Sequence, residues 1–231
     1  MTHARVLSLQ VGRAGTLPWR DGEVATAIVK KPVLDGARIA LSPTGFDDDE
    51  QADLTVHGGP DKAICCYASE HFPYWVRLLE RSEPMPPGAF GENLTLHGAL
   101  ETGVHIGDTY RLGDDGVVVQ VSQPRGPCFK LAARWGTKRV TREMAYDMIA
   151  GFYFRVIETG TVAAGDTLEL LDRTSPITVA EVLRVTYRDR HDPQALSRVV
   201  AVPELAEQWR TSLHKLLEYN MLPLKDPIGG A

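Results

Sequence analysis

A single cysteine lies in a stiff, cationic stretch at residues 122–130, SQPRGPCFK. The pattern is typical of a strand that ends in a proline-broken loop and delivers Cys128 to the first turn of a helix. The free N–H groups of a helix start favour a thiolate, and Arg125 and Lys130 add positive charge nearby. Such a thiolate acts as a nucleophile or as a soft metal ligand, whereas many free cysteines only pack in a core. The residue types alone leave these three roles open.

A second group of polar residues forms the stretch VHGGPDKA at 56–63. Paired glycines let the backbone approach a ligand closely, and successive N–H groups in such a turn can face an anion. The spacing is not that of a P-loop. The stretch therefore predicts either a site for a phosphate-bearing ligand or a tight turn before a strand at 63–68. The candidate residues are His57, Gly58, Gly59, Asp61 and Lys62.

A third stretch, AFGENL at 89–94, has the composition of a ligand-facing turn. Gly91 permits close approach of another group, Glu92 can exchange a proton, and the carboxamide of Asn93 offers donors and an acceptor. Turn chemistry alone explains the same triplet without any function. On its own this stretch predicts no particular activity.

Two other polar features predict no site. The acidic run DDDE at 47–50 lacks the spacing of a calcium-binding loop and is typical of a solvated loop. Cys65 and Cys66 are neighbours on a predicted strand, so their side chains point to opposite faces and cannot chelate one metal ion together. We assign both cysteines to packing.

The elements that must position these residues are mainly short β-prone segments separated by turns, which favours a mainly β, closed barrel-like fold with a few inserted helices. Glycine and proline signals bound three of these helices. The predicted strands cover 6–12, 25–33, 37–42, 63–68, 116–122 and 152–158. The predicted helices cover 69–80, the segment from just after Cys128 to Gly136, and 141–150.

The end of the chain has a different pattern, with helix signals and no strands. Thr178 and Glu181 form a capping box, and Asp192 before Pro193 is typical of a helix start. A long amphipathic run follows Pro203. We therefore predict three short helices in succession.

We predict two domains, a β-barrel at 1–172 and a small three-helix domain at 173–231. The second holds 8 Lys and Arg against 7 Asp and Glu, which is too little positive charge for a DNA-binding helical module. The whole chain of 231 residues has a formal charge of −5, which favours neither nucleic acid nor an anionic membrane. Three cysteines without a CxxC pair, and the lack of a long apolar run, predict a soluble cytoplasmic protein with reduced thiols.

Three motifs in this order, VHGGPDKA at 56–63, FGENL at 90–94 and QVSQPRGPCFKL at 120–131, resemble the MOSC domain family, named for the C-terminal domain of molybdenum cofactor sulfurase. The complete cysteine loop is specifically similar to the YiiM-like bacterial branch. The likeness covers about residues 5–172, and the helices after it resemble the three-α-helix domain of that branch. One segment departs from the pattern: GFDDDEQAD stands where a Gly-Asp segment is expected, which leaves the role of Asp47–Asp49 open.

The resemblance implies a closed barrel-like domain that binds molybdenum as the pyranopterin cofactor. Cys128 would then be a catalytic residue that ligates molybdenum, and a soft thiolate suits a molybdenum–sulfur centre. The two candidates for proton delivery are His57 and, after it, Glu92. Pyridoxal phosphate binding is associated with the domain only at the level of the whole family. The residues expected near the anionic cofactor are Gly58, Gly59, Asp61, Lys62, Asn93, Arg125 and Lys130.

For the YiiM-like branch the resemblance implies a reductase of N-hydroxylated compounds, such as hydroxylaminopurine-type bases, with a role in detoxification. The sequence has no GxGxxG fingerprint, so electrons are expected from a separate flavoprotein or ferredoxin-type reductase that docks on the terminal helices. Two alternatives stay open: a carrier of the cofactor or of sulfur, and a cysteine hydrolase built on Cys128 and His57. The oligomeric state, including a homodimer, is also open.

Overall fold

The computed structural model of the chain describes residues 4–55 and 57–221. The strands in these ranges are β1 (Ala4–Val11), β2 (Gly15–Trp19), β3 (Gly22–Thr26), β4 (Lys31–Pro32), β5 (Ile39–Ser42), β6 (Gly45–Phe46), β7 (Ile64–Ala68), β8 (Leu94–His97), β9 (Thr109–Leu112), β10 (Val118–Pro124), β11 (Phe152–Glu158), β12 (Gly160–Val162) and β13 (Thr167–Asp172). The α-helices are α1 (Phe72–Leu78), α2 (Phe129–Trp135), α3 (Arg139–Tyr146), α4 (Val179–Tyr187), α5 (Pro193–Val200) and α6 (Glu207–Met221).

Seven strands close into a barrel in the order β13-β9-β10-β11-β7-β8-β1. Strand β1 pairs antiparallel with both β8 and β13, and the second pairing closes the sheet. The pair β7–β8 is parallel. Closure leaves these strands without free edges, and the smaller hairpin β2–β3 lies beside the barrel. The predicted closed barrel with inserted helices and a helical C-terminal region is confirmed.

Strand β10 has a local irregularity that matters for the site. Its first residues alternate between partly exposed and buried positions, as Val119 and Val121 enter the core. The pairing register with β11 then shifts between Val121 and Gln123, which is the signature of a β-bulge at Ser122. The carbonyl of Ser122 accepts a hydrogen bond of 2.8 Å from the backbone N–H of Ala206. The bulge therefore joins the barrel to the segment that precedes α6.

Most of the predicted helices are present. Helix α2 begins directly after Cys128 and ends at Gly136, whose φ of 67° fits the glycine stop that the sequence predicts. A short 3-10 helix at Ser69–His71 precedes α1, and together they occupy the segment predicted as a helix at 69–80. Helix α3 begins and ends earlier than the predicted 141–150. It cannot extend to 150, because Met148 has a φ of 57°, which is incompatible with a helix.

The three terminal helices follow the capping signals. The side chain of Thr178 accepts a bond of 3.0 Å from the N–H of Glu181 at the start of α4. Asp192 accepts two backbone N–H groups at the start of α5. None of the described helices combines the length and apolar character needed to cross a bilayer. Residues 222–231 of the predicted second domain lie outside the described residues.

The predicted strand at 25–33 is wrong. Strand β3 ends at Thr26, and only Lys31–Pro32 pairs again, with the end of β1. Between them the N–H of Ile28 donates to Oγ1 of Thr26 at 3.1 Å, and its carbonyl accepts from the guanidinium of Arg134. Side chains therefore satisfy the backbone groups that a strand would have paired. The segment crosses Gly91 so closely that a Cβ there would lie 2.5 Å from Cγ1 of Ile28.

Candidate functional site

The cysteine loop presents its thiol at the start of α2. Cys128 is half-buried, has extended backbone angles (φ −111°, ψ 135°) and makes no side-chain capping bond to the helix. Upstream, the backbone N–H of Arg125 donates to the carbonyl of Gly151 at 2.9 Å. This bond fixes the loop against the start of β11, so that the position of the thiol is set by the barrel.

His57 is the nearest polar partner of this thiol. Its Nε2 lies 3.7 Å from Sγ of Cys128. The turn that carries it continues through Gly59, whose φ of 93° requires glycine, into a 3-10 helix at Pro60–Lys62. Burial lowers the pKa of His57, and neighbouring cations lower it further. The imidazole is thus held neutral at pH 7, beside the thiol.

Two adjoining cavities meet at Cys128. The outer chamber has a volume of about 780 Å³ and the inner chamber about 90 Å³. Side chains that line both include His57, Lys62, Cys128, Lys130 and Tyr153. The outer chamber opens between the hairpin β2–β3 and helices α4 and α6, and its lining includes Val24, Gln123, Tyr187 and Trp209. The inner chamber extends into the barrel rim, and its lining includes Lys30, Asp49, Cys65, Asn93 and Arg125.

Cationic side chains surround the junction of the two chambers. Arg125 is 5% exposed, and its Nη2 donates to the carbonyl of Phe90. Its Nη1 is buried, and within residues 4–55 and 57–221 no acceptor pairs with it. Lys130 is 8% exposed, and no carboxylate of the described residues forms an ion pair with it. Burial lowers the pKa of Lys62. Because buried donors are almost always satisfied, the free Nη1 leaves a position for an acceptor from outside the described residues.

Two predicted site residues, Glu92 and Asp61, are paired with protein groups and are not among the residues that line the two chambers. Both carboxylate oxygens of Glu92 accept hydrogen bonds, from the N–H groups of Gly88 and Phe90 and from the hydroxyl of Thr95. Asp61 pairs with Arg155 at 2.7 Å. Glu92 therefore organises the FGENL loop.

The glycines of the second motif shape the turn. A Cβ at Gly58 would lie 3.0 Å from Leu54, whereas one at Gly59 would meet open space. Asn93 lies at the inner chamber, and its carboxamide accepts from the N–H of Cys65 at 3.0 Å and donates to Asp49 at 2.8 Å. The structure thus brings Cys128, His57, Lys62, Arg125, Lys130 and Asn93 together around the chambers.

The prediction of a solvated acidic run at 47–50 is wrong for Asp49. Its side chain is 2% exposed and forms an ion pair with Lys30, which is also buried. It also accepts from the N–H of Gly12 at 2.9 Å. The assignment of Cys65 to packing needs a similar correction, because Cys65 lines the inner chamber while Cys66 lies in the barrel core. Burial raises the pKa of Cys65.

Sequence reasoning missed two further parts of the site. Tyr153 on β11 lines both chambers, and burial raises its pKa far above the usual range, so it remains a phenol. Helices α4 and α6 supply one wall of the outer chamber. Only the amphipathic spacing of α6 hinted at a buried face, and nothing in it indicated which part of the barrel that face would meet.

Comparison with known proteins agrees with this architecture. The family profile described as "MOSC domain" matches residues 53–169, and the profile described as "YiiM-like, 3-alpha helix domain" matches residues 177–219. The chain is a MOSC domain protein. More particularly, it belongs to the YiiM-like family, in which the MOSC domain is followed by three helices.

Relatives of the chain include full-length matches. "Uncharacterized protein YflK" of Bacillus subtilis is 43% identical over 221 residues, which are 95% of this chain and 97% of that protein. A protein named "Reductase" of Gibberella moniliformis is 41% identical over 157 residues, which are 67% of this chain but only 27% of that protein. The crystal structure of YiiM from Geobacillus stearothermophilus superposes with a TM-score of 0.77 at 34% identity, and covers 93% of this chain and 99% of that one.

Proposed function

We propose that this chain is a molybdenum-cofactor-dependent oxidoreductase that reduces N-hydroxylated compounds, such as hydroxylaminopurine-type bases. The reaction converts an N–OH group to N–H with two electrons and two protons, and it releases water. MOSC domains are associated with the molybdenum cofactor in general, and one relative carries the name "Reductase". Both facts support an oxidoreductase without identifying its substrate.

The observation that carries the proposal is the buried Nη1 of Arg125, which no protein acceptor satisfies, beside the half-buried thiol of Cys128. A thiolate is a soft ligand that suits molybdenum bound through sulfur. A guanidinium with a free donor suits the phosphate of a pterin cofactor. The residues present at the junction of the chambers therefore fit this group.

Each residue at the junction has a proposed task. Cys128 holds the metal through its thiolate, and Arg125 and Lys130 hold the anionic part of the cofactor, with Lys62 at the edge of the outer chamber. When bound, the cofactor supplies the two-electron redox chemistry. His57 moves a proton at Nε2, the atom that faces the thiol. Electrons come from a separate flavoprotein or ferredoxin-type reductase.

A cofactor or sulfur carrier is the other function compatible with this thiol. A carrier needs the cationic residues and space for the cofactor alone, whereas a reductase needs room for a substrate beside the cofactor. The outer chamber of about 780 Å³ has the volume of a small-molecule site, and Cys128 is one of the residues that line it. This space favours the reductase over the carrier.

The test is elemental analysis combined with an assay of the protein produced in cells that synthesise the cofactor. We expect about one molybdenum per chain and reduction of benzamidoxime to benzamidine, with a reduced viologen dye as electron source. A full complement of molybdenum without turnover on any N-hydroxylated probe would favour the carrier. Hydrolysis of esters by metal-free protein would favour the hydrolase.

The His57→Ala variant tests proton delivery. We expect it to retain molybdenum while kcat falls by about a hundredfold or more, the range typical of a lost general acid or base. Molybdenum content and steady-state kinetics measure the two effects. His214→Ala, at an exposed position on α6, is the control and should keep wild-type kinetics. Full turnover by His57→Ala would contradict the role.

A further inference from the structure

One wall of the outer chamber comes entirely from the terminal helices, outside the barrel that carries the thiol. Its residues lie at the end of α4 and along one side of α6. The opposite wall contains the thiol and the hairpin β2–β3. The helical wall consists of Thr186, Tyr187, Gln208, Trp209, Ser212, Leu213 and Leu216.

Two aromatic rings on this wall have no aromatic partner. Tyr187 and Trp209 neither stack on another ring nor form a side-chain hydrogen bond within the described part of the chain. In contrast, the indole N–H of Trp135 donates to the carbonyl of Ala89 at 3.1 Å. The Tyr187 hydroxyl reaches the cysteine loop, since it lies 3.8 Å from where a Cβ would be on Gly126. Two unstacked rings therefore face the chamber close to the thiol.

A buried carboxamide faces the same chamber from the barrel side. Gln123 is 2% exposed, and its Oε1 is buried and has no hydrogen-bond partner within residues 4–55 and 57–221. Its Nε2 makes one long bond of 3.4 Å to the carbonyl of Pro124. An unsatisfied buried acceptor is costly, and a ligand with an N–H group would satisfy it.

The wall is held in a fixed position relative to the thiol. Nζ of Lys62 donates to Oε1 of Gln208 at 2.6 Å across the rim of the chamber. Nη2 of Arg155 donates to the carbonyl of Glu204 at 2.9 Å, just before α6. A wall tied in this way to the barrel loses little conformational entropy when a ligand binds, which is a requirement for a selective site.

We propose that Trp209 and Tyr187 are specificity-determining residues that select flat aromatic N-hydroxylated substrates, and that Gln123 accepts a hydrogen bond from a ring N–H of a heteroaromatic one. This inference rests on the proposed reductase function. It gives the helical domain a direct part in substrate recognition, since flat rings bind well against unstacked aromatic side chains.

The kinetic test uses substrates that share the reacting group and differ in the rest. Benzamidoxime has a ring without an N–H, acetamidoxime has a methyl group instead, and 6-hydroxylaminopurine has a ring with an N–H. We expect Trp209→Leu to lower the ratio of kcat/KM for benzamidoxime over acetamidoxime about tenfold. Tyr187→Leu should lower it about threefold. Trp209→Phe, which keeps an aromatic ring, should retain most of the wild-type ratio.

Gln123→Met keeps the size of the side chain and removes the acceptor. We expect it to lower the preference for 6-hydroxylaminopurine over benzamidoxime about tenfold, since a hydrogen bond to a buried group is lost. For the two aromatic replacements, Trp209→Leu and Tyr187→Leu, the matched control is Tyr219→Leu, because Tyr219 is an exposed aromatic residue on α6 outside the chamber. It should leave both ratios at the wild-type values.

Binding provides a second readout that needs no turnover. Isothermal titration calorimetry with adenine on protein without cofactor should give a Kd about tenfold weaker in Trp209→Leu than in the wild type. Turnover with unchanged ratios in the Trp209 and Tyr187 variants would overturn the inference and leave the reductase function intact. Trp209-dependent adenine binding by a protein that reduces no probe would instead refute the reductase and support the aromatic wall.

Discussion

Replacing Cys128 by serine should remove molybdenum from the protein without unfolding it. Serine has nearly the same shape, but its oxygen is a hard, protonated ligand, whereas the metal–pterin centre favours a soft thiolate. We expect the molybdenum content to fall from about one per chain to a small fraction. Reduction of N-hydroxylated probes should fall by more than about a hundredfold, since even changes around a metal ligand cost up to that much.

The position of Cys128 at the start of α2 makes it possible to separate loss of the metal from loss of the fold. Cys128 is the N-cap of α2 and makes no capping bond with its side chain, while serine is a favoured N-cap residue. The variant should therefore unfold at the same denaturant concentration as the wild type, or at a slightly higher one. Cys65→Ala is the matched control, because that thiol lines the inner chamber but is buried. Molybdenum retained by Cys128→Ser would contradict ligation by this residue.

Replacing Gly151 by alanine should cause the largest loss of stability at a single position near the site. A Cβ there would lie 2.2 Å from the carbonyl oxygen of Cys66, and the residue has a φ of 82°. Its N–H donates to Glu101 at 2.7 Å and its carbonyl accepts from Arg125, so the backbone cannot move aside freely. Overpacking and the left-handed conformation together should cost about 3 kcal/mol or more.

Denaturant unfolding of the cofactor-free protein measures this loss. Gly136→Ala is the control, since Gly136 has a φ of 67° but a Cβ there would meet no atom within 4 Å. This variant has the left-handed conformation without the clash, and we expect the conformational cost alone to be about 1 kcal/mol. Equal losses in the two variants would show that the contact with Cys66 is unimportant.

The parts of the fold that sequence could predict are those determined by neighbouring residues. A glycine after the last turn of α2, and Thr178 with Glu181 at the start of α4, specify helix ends within a few residues of chain. The alternation of buried and more exposed residues along the segments of β10 and β11 predicts these two strands of the barrel. The segment 25–33 failed because its β-branched residues satisfy a local pattern, while its real contacts lie far away, at Gly91 and Arg134.

The candidate site was predictable to the extent that its residues cluster in short motifs. Cys128, Arg125 and Lys130 fall within one loop, and His57 lies in a turn with two glycines. Asp49 was not predictable, because its burial depends on Lys30, which reaches it from a distant part of the chain. Local polarity predicts exposure, and only the tertiary structure shows that a cation neutralises the carboxylate.

The bulge at Ser122 has a consequence for how the chain can vary in length. One extra residue in β10 shifts the frame in which the following side chains alternate, so Gln123 reaches the outer chamber although Val121 before it points into the core. Removing any one residue between Val118 and Pro124 would move the following residues of the strand to its opposite face. This strand therefore accommodates replacements far better than insertions or deletions.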